Sequence, residues 1–398
     1  MSQAEGFTSV SRRSFLYASA ATSAAMALRM VTEPMLAYAA LPAAPNDAVR
    51  INANENPLGP CSAARDAVLA ITPEGGRYRF DLTSEVVKLF AQQQGVPDDH
   101  VGIFPGSSEP LHYTVMAFTS PKASFVTADP GYEAGTHAAK NAGARVVNVP
   151  LTKTYTHDVK AMLAAAPDAG VFYICTPNNP TGTLTSHADI EYLLENKPAN
   201  SIVLVDEAYI HFCDAPSAID LVKAGKDIIV LRTFSKLYGM AGLRCGFSIA
   251  RPDLVKRLEG YGGGNPMPVT AVVAATASLK EPKLVTERKR ANAEVRAATF
   301  QWLDRNGYSY IPSVSNCFML DTKRPAKDVI VAMAQQKVIV GRIWPVMPTY
   351  TRITIGTQEE MEQFQAAFQK VMTGTAMESI RLGKELKPRT IDGFVLPS

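Results

Sequence analysis

Five short segments carry residues that could do chemistry, and each follows an apolar run. One is "TFSKLYGMAGLRCG", Thr233 to Gly246, entered from the run Ile228 to Leu231. It holds a single lysine, Lys236, and an arginine, Arg244, eight positions on. A lysine amine among cations and out of water loses some of its proton affinity, so it can attack a carbonyl carbon or carry a proton. An arginine offers a planar fork of donors suited to a phosphate or a carboxylate. "DEAY" follows "SIVLV" and supplies Asp206 and Tyr209. "CTPNNPTG" follows "GVFYI" and supplies Asn179. "DPGYEA" follows "SFVTA" and supplies Tyr132. "PGSSE" follows "VGIF". There Gly106 permits a tight turn, and Ser107 and Ser108 open a helix whose unpaired N–H groups favour an anion. Taken singly, each residue has an ordinary explanation as a cap, a turn, a core residue or a surface charge.

The elements that must position these residues decide whether they meet. "HVGIF", "SFVTA", "RVVNV", "GVFYI", "SIVLV", "DIIVL" and "RCGFSIA" are short, apolar and β-branched, and helical patterns separate several of them. That alternation predicts an α/β fold with a mainly parallel seven-stranded sheet wrapped by helices. In such sheets ligands bind beyond the carboxyl ends of the strands, and all five segments follow a strand. "YGGGNPMP", Tyr261 to Pro268, breaks the pattern. A long helical stretch, about 268–306, and the runs "CFMLD", "KVIVG" and "YTRITIG" then predict a smaller α+β domain. The expected organisation is a leader at 1–39, an extended N-terminal arm at 40–75, a large domain at 76–270, a small domain at 271–373 and a tail at 374–398.

Together the five segments offer what one cofactor needs. Pyridoxal 5'-phosphate takes a lysine to hold its aldehyde as a Schiff base and an acid to keep its ring nitrogen protonated. It also takes donors for its ring oxygen, an aromatic against its face and a cationic pocket for its phosphate.

"CTPNNPTG", "VDEAY" and "TFSKLYGMAGLRCG" resemble the class I/II aminotransferases of pyridoxal-phosphate fold type I. "INANENPLGP" and "RITIGTQEEM" are most similar to the histidinol-phosphate aminotransferase group, and the resemblance covers about 48–372. It implies that Lys236 anchors the cofactor and shuttles the proton, that Asp206 pairs with the ring nitrogen, and that Tyr209 and Asn179 bond the ring oxygen. It implies stacking by Tyr132, and a phosphate site built from Arg244, Ser235, Ser107 and Ser108. Arg352 matches the family's clamp for the substrate carboxylate, and Asn54 lies where the arm folds over the substrate. Tyr78, in "RYR" where the family has "RYP", matches a tyrosine that reaches the phosphate of a neighbouring subunit, which implies a homodimer. "GRIWP" offers Arg342 as a second substrate-side arginine. The implied reaction moves an amino group from an amino acid or amino-alcohol phosphate to a 2-oxo acid by ping-pong kinetics. The same scaffold also serves lyases, decarboxylases and oxidases, or a cofactor-binding protein with little catalysis.

The remaining features narrow the setting. The net charge of +3 is spread along 398 residues, with no basic block and no zinc-finger spacing, so the partners expected are small molecules and not nucleic acid. Cys61, Cys175, Cys213, Cys245 and Cys317 are scattered and odd in number, which argues against a disulfide framework or a metal site and for small core residues. "SRRSFLYASAATSAAMAL" has Arg12 and Arg13 before a weakly apolar stretch, and "AYAA" places Ala37 and Ala39 at a small-x-small site. This pattern predicts a cleaved twin-arginine signal and export to the periplasm or beyond. The apolar stretch falls short of the roughly 20 residues a transmembrane helix needs.

Overall fold

β-Branched and aromatic runs give the twelve strands of the computed structural model, which describes residues 47–262 and 264–374. In chain order they are β1 (Val49–Ile51), β2 (Val101–Phe104), β3 (Ser124–Asp129), β4 (Val146–Pro150), β5 (Ala169–Cys175), β6 (Ile202–Asp206), β7 (Ile228–Thr233), β8 (Gly246–Ile249), β9 (Ser309–Ile311), β10 (Cys317–Asp321), β11 (Val338–Val340) and β12 (Tyr350–Thr354). The expected leader and nearly all of the expected tail lie outside the described residues.

The seven predicted apolar runs form one sheet in the order β2-β8-β7-β6-β5-β3-β4. Only β8 runs against its neighbours, so β2 through β7 all point their carboxyl ends to one edge. Every residue of β5, β6 and β7 is buried, as strands covered on both faces must be. The register sets Cys175 beside Asp206 and Asp206 beside Leu231, which brings the ends of β5, β6 and β7 level. Helices Phe80–Gln94 and Val269–Lys280 close this core through Val86, Phe90, Ala271 and Ala275. Gly95 ends the first of them at φ 65°, a left-handed cap that returns its N–H to Ala91 O and Gln92 O.

A second core gathers Phe318, Leu320, Ile353, Phe364 and Phe368 between the antiparallel sheet β12-β10-β9 and helices Leu284–Arg305, Ala326–Gln335 and Gln358–Met372. The last helix opens on a capping box, with Thr357 and Glu360 exchanging side-chain and backbone bonds. β1 pairs in parallel with β11, and its Val49 and Ile51 enter the same core.

Three expectations change in detail. The arm is not extended throughout: Ser62–Ile71 is a helix, with Ala64 and Val68 against the first core. The long helical stretch breaks at Glu281-Pro282-Lys283, because proline disfavours helical geometry at the residue before it. Its first half, Val269–Lys280, packs on the first core, beyond the boundary expected at 270. No helix among the described residues is long and apolar enough to cross a membrane.

Candidate functional site

The carboxyl edge of the large sheet opens into a pocket lined by Ser107, Ser108, Tyr132, Asn179, Asp206, Tyr209, Ser235, Lys236 and Arg244. Nine residues chosen from five separate segments thus share one wall. Ala53, Glu55, Cys175, Ala208, Thr233 and Ala241 complete it.

Lys236 is buried. Its ammonium donates to Ala53 O at 3.2 Å and lies 5.8 Å from the centre of the Tyr209 ring. Asp206 ends β6 in full burial, with Oδ1 accepting the Ala208 N–H at 3.1 Å and Oδ2 accepting the Tyr173 hydroxyl at 2.9 Å. Burial pushes its carboxyl up to about 6, against the downward pull of those two bonds and of Lys236. Its neighbour Glu207 faces away and is consumed by structure: it accepts Arg232 Nε at 2.8 Å, Ser217 Oγ and the Ala218 N–H. One sequence dipeptide therefore divides into a site carboxylate and a framework carboxylate.

At the other end of the pocket the backbone builds a cationic cradle. Arg244 adopts φ 64°. Its Nη1 donates to Ser235 Oγ at 3.3 Å and Ala241 O at 2.8 Å, and its Nη2 donates to Pro105 O at 3.2 Å. Gly106, at φ 91°, lies so close that a Cβ there would collide with Arg244 Nη2. Helix Ser108–Phe118 starts at this point, so its free N–H groups add to the positive field.

The three residues expected on the substrate side, Arg352, Asn54 and Arg342, come from the second core and the arm and do not line this pocket themselves. Arg352, on β12, is fully buried. Its Nη1 donates to Asn179 Oδ1 at 2.7 Å and its Nη2 to Asn52 O at 2.6 Å. Asn54 sits at φ 54° and is also fully buried. Its Nδ2 donates to Tyr209 Oη at 3.0 Å, and its N–H to Thr354 Oγ1 at 2.9 Å. Arg342 is not an exposed loop charge: it is buried, donates to Glu133 Oε1 at 2.6 Å and stacks on Trp344. Tyr78 is 71% exposed beside Phe80 and does not line the pocket of its own chain.

The donor set fits pyridoxal phosphate. A lysine, a buried carboxylate, an asparagine amide, a tyrosine hydroxyl and an aromatic lie at one end, and the glycine-lined arginine cradle at the other. The family model described as aminotransferase class I and II matches residues 47–368. The chain belongs to that family. It is a pyridoxal-phosphate-dependent aminotransferase. It is 34% identical to the histidinol-phosphate aminotransferase of Symbiobacterium thermophilum, over 82% of this chain and 91% of that one. It is 33% identical to the aromatic amino acid aminotransferase of Cutibacterium acnes, over 82% and 94%. The crystal structure of a putative histidinol-phosphate aminotransferase from Erwinia carotovora atroseptica superposes with a TM-score of 0.80 at 31% identity, over 84% and 100%.

Sequence reasoning missed Tyr173, Glu133 and Trp344. Tyr173 reads as one more apolar strand residue, and nothing local marks its hydroxyl as the partner of Asp206. Glu133 adjoins Tyr132, yet its meaning depends on an arginine 209 positions away. All five cysteines are free thiols, and Cys175 lines the pocket. No cluster among the described residues could hold a metal ion.

Proposed function

We propose that this aminotransferase moves an amino group from an amino acid or amino-alcohol phosphate to a 2-oxo acid, with the residues of the pocket in the following roles. The observation that carries the reading is the convergence of Lys236, Asp206, Asn179, Tyr209 and Arg244 in one pocket, with Arg352 bonded to Asn179 at its border. Bound pyridoxal phosphate supplies an aldehyde and an electron-withdrawing ring. Lys236 is the covalent anchor and, once released, the amine that moves a proton at the substrate Cα. Asp206 holds a proton on the ring nitrogen, and its two hydrogen bonds fix its orientation. Asn179 and Tyr209 hold the ring oxygen, and Tyr132 covers the ring face. Arg244, Ser235, Ser107 and Ser108 hold the phosphate. Arg352 clamps the substrate carboxylate with a fork that Asn179 and Asn52 O keep in place. Asn54 ties the arm to Tyr209 across the substrate's path.

The exposed Tyr78 supports a homodimer in which that ring reaches the partner's phosphate site. Export by the twin-arginine route to the periplasm or beyond is supported by Arg12, Arg13 and the "AYAA" site. Residues 1–46 also fall outside the family match.

The test is Lys236→Ala with a panel of donors and 2-oxo acids. Loss of general-base transfer alone is worth about 10²–10⁴ in rate. Turnover should therefore fall at least that far, and the long-wavelength absorbance of the anchored cofactor should vanish. A variant that kept both would remove the central assignment.

A further inference from the structure

The loop that brings Asn179 to the pocket is held from behind by a residue that none of the roles above uses. β3 and β5 pair only as far as Val126 beside Phe172, after which β3 continues along β4 and β5 along β6. Backbone N–H groups point alternately to the two sides of a strand. The Thr176 N–H turns to Asp206 O on the β6 side, at 3.0 Å, so the Cys175 N–H points to the side that β3 has left. His157 fills that place. It lies between β4 and helix Val159–Ala165, which its neighbour Asp158 caps, and it is buried. Its Nε2 accepts the Cys175 N–H at 3.4 Å, and its Nδ1 lies 2.9 Å from Thr185 Oγ1.

These two partners are opposite legs of one loop. The Thr185 N–H donates to Thr176 Oγ1 at 3.2 Å, and that hydroxyl donates to Thr185 O at 3.4 Å. Nearer the tip, the Asn178 N–H donates to Thr183 O at 2.8 Å and the Gly182 N–H to Asn178 O at 2.7 Å. Asn179 follows at the tip itself. Thr183 is tied in turn to Tyr155 O, two residues before His157. A backbone N–H can only donate, so Nε2 is the bare nitrogen and Nδ1 carries the hydrogen, which Thr185 Oγ1 accepts. Only the neutral ring does both. Complete burial keeps it neutral, pulling its pKa down to about 4.

We infer that His157 is a positioning residue for Asn179: by gripping Cys175 and Thr185 together it fixes both legs of the loop, and with them the reach of the Asn179 amide. The inference rests on the reading of Asn179 as a partner of the ring oxygen. The oxygen of that amide also accepts Arg352 Nη1 at 2.7 Å, so a loop that shifts loosens the carboxylate clamp as well. An apolar ring in this place would fill the space and leave the buried Cys175 N–H unpaired.

The experiment compares three replacements in the holoenzyme. His157→Gln puts an acceptor where Nε2 stood, His157→Asn keeps a polar atom only where Nδ1 stood, and His157→Phe keeps neither. Three readouts are taken: amide exchange at Cys175, the pH midpoint of the bound cofactor's absorbance change, and kcat/KM. In the Asn and Phe replacements the Cys175 N–H should exchange at least about fivefold faster, the worth of one ordinary hydrogen bond. The midpoint should shift in the direction that Asn179→Ala shifts it. The value of kcat/KM should fall by about ten- to a hundredfold, the scale of a small misplacement in a site. His157→Gln should keep all three near wild type. Thr185→Val removes only the second leg's contact and should shift the midpoint the same way, which keeps the test open where a ring replacement fails to fold. If Asn179→Ala moves the midpoint and no His157 or Thr185 variant does, the inference is overturned and the histidine only stabilises the fold. His157→Gln shifting as far as His157→Phe overturns it as well. If Asn179→Ala itself leaves the midpoint and kcat/KM unchanged, the ring-oxygen reading falls and takes the inference with it.

Discussion

Asp206→Asn should make the cofactor-free protein more stable at neutral pH while disabling the enzyme. In the folded chain burial raises the Asp206 carboxyl from 3.8 to about 6. Between those values the folded state holds a proton that the unfolded chain has released. Stability therefore falls as pH rises from about 4 to about 6, and the loss persists at higher pH. At about 1.4 kcal/mol per pH unit, the cost at pH 7 is about 3 kcal/mol. An asparagine carries no charge to desolvate, keeps an oxygen for the Ala208 N–H, and can donate to the Tyr173 oxygen in place of accepting from it. Urea unfolding of the apoproteins from pH 3.5 to 8 is the measurement. The variant should gain up to about 3 kcal/mol at pH 7, and the gain should vanish near pH 4. With cofactor bound the order should reverse, since only the carboxylate can hold a cationic ring nitrogen. Tyr173→Phe supplies a control of opposite sense. It removes a hydrogen bond to a charged group, worth about 1.5–3 kcal/mol, so the wild-type pH-dependent loss should deepen and move to higher pH. A gain in Asp206→Asn that is independent of pH, or no gain at all, would refute the argument that this buried carboxylate is held at the expense of the fold.

Two further outcomes follow from the same geometry. Gly106→Ala places a Cβ against Arg244 Nη2 on a backbone at φ 91°, so the affinity for pyridoxal phosphate, measured by fluorescence titration of the apoprotein, should fall by at least about tenfold, the cost of a positive-φ side chain plus a displaced phosphate ligand. Arg352→Lys replaces a two-pronged donor by a point charge. Donor KM, measured by steady-state kinetics, should rise by about ten- to a hundredfold as one charge-assisted bond is lost.

Much of the site was legible because its residues sit at strand ends, and strand ends are marked by local pattern. The apolar runs before Asp206, Lys236 and Asn179 fix where β6, β7 and β5 stop, and parallel register then aligns them. The direction of β8 was not legible, since a short apolar run carries no sign of its direction. Nor was the choice between Asp206 and Glu207 set by spacing alone: it depends on Arg232, Ser217 and Ala218 gathering behind Glu207. The motif suggested a substrate-side arginine at Arg342, but it does not show that Arg342 is buried against Glu133 and Trp344, since Glu133 comes from a different part of the fold. The helix at Ser62–Ile71 did leave a signal, apolar residues at 64, 68 and 71, that a reading dominated by the nearby Pro and Asn residues passes over.

The pairing of β1 with β11 has a consequence in time. Ala53 O accepts from Lys236, Asn52 O accepts from Arg352 and the Asn54 N–H donates to Thr354 Oγ1, so three consecutive residues from the beginning of the fold touch the groups at its heart. Their position is fixed by a strand, Val338–Val340, and by a threonine 300 residues downstream of Asn54. A nascent chain that has already completed the large sheet, with its lysine, carboxylate and arginine cradle, still lacks the register that sets this arm. Because such distant closure comes late in folding, the growing polypeptide can assemble a place for the cofactor well before it has a catalyst. Activity should thus appear only when the last tenth of the fold has left the ribosome.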